Sequence, residues 1–118
     1  MATVAELMEA NLLRVFNERD DERRAKAIAE TYAPDVEFAD PEGTVTGRES
    51  LNAKAKGLLD QSPGFAFTPA GPVLVNHDLG HLAWALGPDG GPPVVRGIDI
   101  ALVEDGLIKK LYTMLLPA

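Results

Sequence analysis

Two aspartates stand where a carboxylate is costly. Asp99 lies within the run Val94 to Glu104, flanked by Ile98 and Ile100, and on a strand it shares a face with Val95, Gly97, Ala101 and Val103. Asp40 ends the alternating stretch Val36-Glu37-Phe38-Ala39-Asp40, on the same face as Val36 and Phe38. An ionised carboxylate buried without a partner costs several kcal/mol, so such an acid is paired, hydrogen-bonded or kept neutral by a raised pKa. Two acids of this kind define a possible site. Each acid also has a plainer use. Asp40 precedes Pro41-Glu42-Gly43, where an Asp caps a turn through its own backbone. Asp99 can emerge into solvent or pair with Arg96, although their odd spacing puts Arg96 on the opposite face of a regular strand.

Other chemistries find less support. The chain has no cysteine, which excludes disulfides, thiolate metal sites and thiol nucleophiles and mildly favours the cytoplasm. His77 and His81 straddle a turn between two strand candidates, without a third metal ligand, so no metal site is expected and a turn histidine is ordinarily solvated. Neither Ser50 nor Ser62 sits in a Gly-x-Ser-x-Gly elbow, and the Gly87 to Pro93 turn lacks the Lys-Ser/Thr of a phosphate loop. Eighteen acidic against eleven basic residues give a net charge of −7, spread over both halves of the chain, which repels phosphate backbones and anionic lipid. No nucleic-acid or membrane partner is expected. No stretch reaches the ~18 uncharged apolar residues that span a bilayer, and Met1 to Glu9 carries two acids and no base, so no signal peptide is expected.

The elements that must position these acids follow from the pattern. The 118 residues, 46% of them hydrophobic, make one domain's worth of chain, residues 1–118, with enough apolar side chains for a core. Thr3 and Glu6 form a capping box ahead of Val4, Leu7, Met8, Leu12, Val15 and Phe16 at helical spacing. Asp20 and Asp21 offer caps for a second helix with Ala25, Ile28, Ala29 and Tyr32 on one face, stopped by Pro34. After a short strand over 36–40, Thr46 and Glu49 repeat the capping box and open a third helix with Leu51, Ala55, Leu58 and Leu59 inward, ended by Ser62-Pro63-Gly64. Strand candidates follow at 65–68, 73–77, 81–86, 94–104 and 107–116, with Asp105-Gly106 as a two-residue hairpin turn. The expected architecture is α+β, with three N-terminal helices packed on a curved antiparallel sheet that forms a cone with a pocket.

The stretch Tyr32-Ala33-Pro34-Asp35-Val36-Glu37-Phe38-Ala39-Asp40-Pro41-Glu42-Gly43, followed by Gly47-Arg48-Glu49, resembles the signature of nuclear-transport-factor-2-like, cystatin-like cone domains, in particular their ketosteroid-isomerase and SnoaL-like branch. The order of elements agrees across nearly the whole chain. The resemblance implies that Asp40 is a general base, that Asp99 within Ile98-Asp99-Ile100 is a protonated hydrogen-bond donor, and that Tyr32 orients Asp99. It implies no cofactor. Two tyrosines of the isomerases are missing: Phe16 stands sixteen residues before Tyr32, where the oxyanion tyrosine falls, and Ala55 stands near the place of the other. Losing one oxyanion donor typically costs about 10²–10³ in rate. The epoxide-hydrolase relatives use an Asp-Arg-Asp set, for which Arg96 faces the wrong way on strand parity.

The expected ligand is a small hydrophobic molecule bearing a carbonyl, and Phe16, Phe38, Leu58, Trp84 and Met114 are the candidate lining residues. Two functions fit the pattern: cofactor-independent proton transfer next to a carbonyl, of the steroid-isomerase or polyketide-cyclase kind, or hydrophobic-ligand binding or dimerisation without chemistry. Ile98, Ile100 and Leu102 make the other face of Asp99's strand apolar too, so a homodimer through the sheet is expected.

Overall fold

The computed structural model describes residues 1–117. Thr3 caps α1 (Val4–Ala10): its side chain accepts from Glu6 N at 3.1 Å and Glu6 Oε1 accepts from Thr3 N at 2.9 Å. The helix does not continue as a plain α-helix. It passes into a π-helical stretch, Asn11–Phe16, in which Asn11, Leu12, Val15 and Phe16 are all buried. Asp20 caps α2 (Asp21–Thr31) by accepting from Arg23 N. This helix ends one residue earlier than its apolar face suggests, and Tyr32 opens strand β1 (Tyr32–Asp40), with Pro34 inside the strand rather than at a helix stop.

Strand β2 (Gly43–Thr46) pairs antiparallel with β1, in a stretch that its capping pattern assigns to the entry of a helix. Thr46 is therefore not a cap. The N-cap of α3 (Arg48–Gln61) is Gly47 at φ 95°, a left-handed conformation that glycine adopts without strain, and its N–H donates to Val36 O at 2.8 Å. Arg48 then reaches back to the carbonyls of Tyr32 (Nε, 2.9 Å) and Ala29 (Nη2, 3.1 Å), satisfying the C-terminal end of α2. The Gly47-Arg48 pair thus joins the second and third helices to the first strand.

The remaining strands are β3 (Phe65–Pro69), β4 (Leu74–Asn76), β5 (Leu79–Pro88), β6 (Val95–Glu104) and β7 (Leu107–Leu115). The sheet order is β2-β1-β7-β6-β5-β3, with β4 on β5 beside β3. The sheet is mixed rather than wholly antiparallel, because β1 lies parallel to β7. Periodicity shows which face a residue takes, not which strand it neighbours, so this pair could not be read from the pattern. Three helices over a curved sheet make the α+β cone that the sequence predicts.

Two polar clamps hold the helices to the sheet. Arg19 donates to the carbonyls of Leu59 (2.8 Å), Ser62 (2.8 Å) and Phe65 (3.0 Å), closing the end of α3. Asn17 takes the place of a strand partner for Phe67, accepting from its N–H and donating to its carbonyl at 2.9 Å. The core between the layers is built from Leu7, Met8, Leu12, Val15, Ile28, Val36, Leu51, Leu82, Ile108 and Leu111. No helix among the described residues is long and apolar enough to cross a membrane.

Candidate functional site

Between the helices and the concave face of the sheet lies a cavity of about 300 Å³. Its aromatic wall comes from Phe16, Phe38, Phe67 and Trp84. Phe67 meets Trp84 edge-on at 5.1 Å between ring centroids, and Phe16 lies 5.8 Å from Phe38. Leu12, Leu58 and Leu86 add aliphatic surface, and the polar groups are few: Asp40, Glu42, Ser62, Asp99 and Thr113. A mainly apolar hollow with a few convergent polar groups is the usual form of a small-molecule site. A hollow of about 460 Å³ between α1 and α2 contains neither aspartate and is lined by Glu6, Glu9, Arg14 and Glu30 among others. The smaller, apolar cavity is the one that both acids line.

Strand register brings the two acids together. Asp99 on β6 pairs with Thr113 on β7, and Asp40 on β1 is one residue beyond the Ala39–Tyr112 rung of the parallel pair, level with Thr113. Asp40, Thr113 and Asp99 thus sit on three adjacent strands, and all three line the cavity. Two strand spacings put the aspartate backbones on the order of 10 Å apart, about one small ligand's width.

Asp99 is 4% exposed and accepts three hydrogen bonds. Trp84 Nε1 (3.0 Å) and Thr113 Oγ1 (2.7 Å) donate to Oδ1, and Asn11 Nδ2 (2.8 Å) donates to Oδ2. Burial pushes its pKa above the ordinary carboxylate value, and the bonds from Thr113, Trp84 and Asn11 pull in the opposite direction. Arg96 is exposed and makes no bond to Asp99, as strand parity predicts. Gly97 explains how an indole fits beside the acid. A Cβ there would stand 2.3 Å from Trp84 Cζ2 and 2.8 Å from Met114 O, so the ring lies where a side chain would otherwise be. Gly97→Ala is expected to displace Trp84, break its bond to Asp99 and destabilise by about 1–3 kcal/mol. As Trp84 is the sole tryptophan, a changed emission maximum together with a lowered melting temperature checks this.

Asp40 has the turn role that its neighbours suggest. Its Oδ1 accepts from Glu42 N (2.9 Å) and Gly43 N (3.2 Å), while Oδ2 lies 3.2 Å from Lys54 Nζ. Lys54 also pairs with Glu42 at 3.0 Å. The lysine comes from the flank of α3 beside the buried Leu51 and Ala55, where no sequence pattern sets it apart. Its side chain is 24% exposed and that of Asp40 12%, at the rim of the cavity.

Tyr32 does not touch Asp99. It is fully buried, its hydroxyl donates to Asn11 Oδ1, and it does not line the cavity. Burial first, and then the charge of Asp99, push its pKa well above the usual tyrosine value. Phe16, Phe38, Leu58 and Trp84 line the cavity as expected, but Met114 does not. Met114 lies on the outer face of the sheet, opposite Ile98, beside a groove shared with Ile100 and Tyr112. The cause is a bulge. Next to the Asp105-Gly106 turn, Glu104 pairs with Leu107 and Val103 with Ile108, but beyond it Leu102 pairs with Lys110. An unbroken hairpin would have placed Met114 opposite Gly97 and Tyr112 opposite Asp99; the extra residue turns both outward and brings Thr113 in.

His77 lies in the turn at φ 52°, and His81 is on β5 opposite Leu74 and Ile100 on the outer face, away from both acids. Among the described residues no three His, Asp or Glu side chains converge as metal ligands.

Residues 10–111 match the family model for the SnoaL-like domain. Among solved structures, a candidate isomerase of the SnoaL-like family from Agrobacterium tumefaciens superposes with a TM-score of 0.87 at 23% identity, covering 94% of this chain and 95% of that one. A candidate ketosteroid isomerase from Kribbella flavida superposes with a TM-score of 0.74 at 20% identity, over 98% of this chain and 78% of that one. A candidate polyketide cyclase from Sinorhizobium meliloti does so with a TM-score of 0.70 at 15% identity, over 96% and 94%. At such identities these likenesses show the shared cone fold. No curated protein matches the sequence.

Proposed function

Since the chain belongs to the SnoaL-like domain family, we propose that it binds a small, largely apolar carbonyl compound in the cone and moves a proton at the carbon next to the carbonyl. The observation that carries this reading is the placing of Asp40, Thr113 and Asp99 on adjacent strands around one apolar cavity. Asp40 is the base: at the rim, with Lys54 and two turn N–H groups around it, it is surrounded by donors suited to an ionised carboxylate. Asp99 is the electrophilic partner. Its Oδ1 already accepts two bonds and its Oδ2 only one, so a proton on the remaining Oδ2 position can face a ligand oxygen without disturbing the network. Thr113 lines the same part of the cavity, but its one hydroxyl hydrogen is given to Asp99 Oδ1, so it offers the ligand a donor only when Asp99 in turn donates to it. The step needs no cofactor: Asp40 takes the proton, the carbonyl oxygen gains enolate character against Asp99, and Asp40 returns the proton.

A binding role without chemistry is favoured by one specific feature. Both oxygens of Asp40 already have partners, the turn and Lys54, and a base must be able to leave one of them. A thermal-shift screen of cyclic ketones against the matching hydrocarbons tests the proposal. A ketone at 100 times its dissociation constant is expected to stabilise by about 2.7 kcal/mol, a rise on the order of 10 °C. Exchange of solvent deuterium into the position beside its carbonyl indicates catalysis; binding without exchange, or equal stabilisation by ketones and hydrocarbons, indicates the second role, and no stabilisation by either removes both.

We also propose that a second copy of the chain covers the outer sheet face. Ile98, Ile100 and Leu102 are only half-buried there, and Tyr112 and Met114 are exposed. The charges on and beside this face are of both signs, Arg96, Lys109 and Lys110 against Asp35, Glu37 and Glu104, unlike the chain's net −7, so two such faces meet without the repulsion that other surfaces bring. Sedimentation at micromolar concentration is expected to give a dimer; a monomer rejects the pairing.

A further inference from the structure

A buried chain of hydrogen bonds runs from Tyr32 through Asn11 to Asp99, and its direction is fixed by the chemistry of its middle member. The oxygen of an amide only accepts and its nitrogen only donates. Tyr32 O–H donates to Asn11 Oδ1, so Asn11 must turn its N–H toward Asp99 Oδ2, at 2.8 Å. Reversing the amide would leave the Tyr32 hydroxyl hydrogen without its acceptor in a fully buried place, at the cost of an unsatisfied buried donor. Asn11 is itself fully buried and is the first residue of the π-helical stretch, a distortion of the kind often found at functional sites.

From this we infer that Asn11, locked by Tyr32, is a positioning residue that aims the proton of Asp99 at the cavity by denying it any inward acceptor. The remaining neighbours of the carboxyl support the assignment. Trp84 Nε1 can only donate, so it cannot receive the proton either. Thr113 can receive it, but Thr113 lines the cavity, so its own hydroxyl hydrogen then turns toward a ligand. A protonated Asp99 therefore always presents one donor to the cavity, directly or through Thr113.

This inference deepens the proposed role of Asp99, and its test needs no substrate. Trp84 is the sole tryptophan and bonds directly to Asp99, so its fluorescence against pH follows ionisation of that acid. Asn11→Leu removes a donor to the carboxylate, and Tyr32→Phe frees Asn11 to offer its oxygen to the protonated form. Each is expected to raise the fluorescence midpoint by about one to two pH units, the size of a hydrogen bond to a charged group. Because both act through Asn11, adding Tyr32→Phe to Asn11→Leu is expected to move the midpoint no further. An unmoved midpoint in Asn11→Leu, or a Tyr32→Phe shift that survives in the double variant, overturns the inference. Tyr32→Phe keeps the ring and the packing. Should Asn11→Leu fail to fold, the side-chain amide resonance of Asn11 decides: it must titrate with the Trp84 midpoint in the unaltered protein and exchange with water faster in Tyr32→Phe. If these readings hold while the ketone screen fails, the network stands and only the proposed function falls.

Discussion

Asp40→Asn is expected to lower deuterium exchange into a bound ketone by about 10²–10⁴, the range that a positioned general base contributes, while the fold survives. The fold argument is specific. Asn retains the oxygen that accepts from Glu42 N and Gly43 N, so the turn between β1 and β2 keeps its cap. What goes is the contact with Lys54, a partly exposed pair at the rim, and pairs of that kind contribute only about 0–1 kcal/mol. A melting temperature within a few degrees of the unaltered protein, together with lost exchange, identifies the base. Full exchange in the folded variant removes Asp40 from the chemistry.

Asp99 yields the second large effect, in rate and in pH dependence. Asp99→Leu removes the donor proposed to face the ligand oxygen, and loss of one such donor typically costs about 10²–10³ in rate. It also strands the N–H groups of Asn11 and Trp84, so a stability loss of about 1–3 kcal/mol per unsatisfied donor accompanies it, offset in part by no longer burying a carboxyl. The neutral Asp99→Asn variant isolates the titration. The folded protein raises the pKa of Asp99 above its ordinary value of 3.8, so between the two values the folded state binds more protons than the unfolded one. Its stability relative to Asp99→Asn must therefore fall as pH rises through that window, by up to about 1.4 kcal/mol per pH unit. Urea denaturation of both proteins across the pH range measures the difference. A difference that stays constant means that the three hydrogen bonds balance burial, and one that grows with pH means that they outweigh it.

Much of this arrangement was legible because a few residues have only one good use. A single acid between Ile98 and Ile100 has to be managed by its surroundings, and the Thr3–Glu6 box and the Asp105-Gly106 turn mark chain reversals and starts through local hydrogen bonding. The less legible parts depend on distance along the chain or on one-residue slips. The parallel neighbour of β1 is separated from it by more than half of the sequence, Glu37 pairing with Lys110. The bulge on β7 exchanges the faces of Met114 and Thr113, and nothing local in Lys109-Lys110 marks it.

Asn11 is an intermediate case. It falls three residues after Met8 and four after Leu7, on the apolar face of its helix, so a polar side chain there already asks for a buried partner. Its partners, Tyr32 and Asp99, are 21 and 88 residues away and could be found only in the folded chain. The resemblance implies that Tyr32 orients Asp99, and in the structure the Asn11 amide stands between the two.

The most direct measurement is a crystal structure of the complex with the first ketone that stabilises the protein. The ligand oxygen should lie within hydrogen-bond distance of Asp99 Oδ2 or Thr113 Oγ1, with the neighbouring carbon turned toward Asp40. A ketone seated in the hollow between α1 and α2, or in the cone with its oxygen on Lys54 and its hydrocarbon against Asp99, contradicts the account.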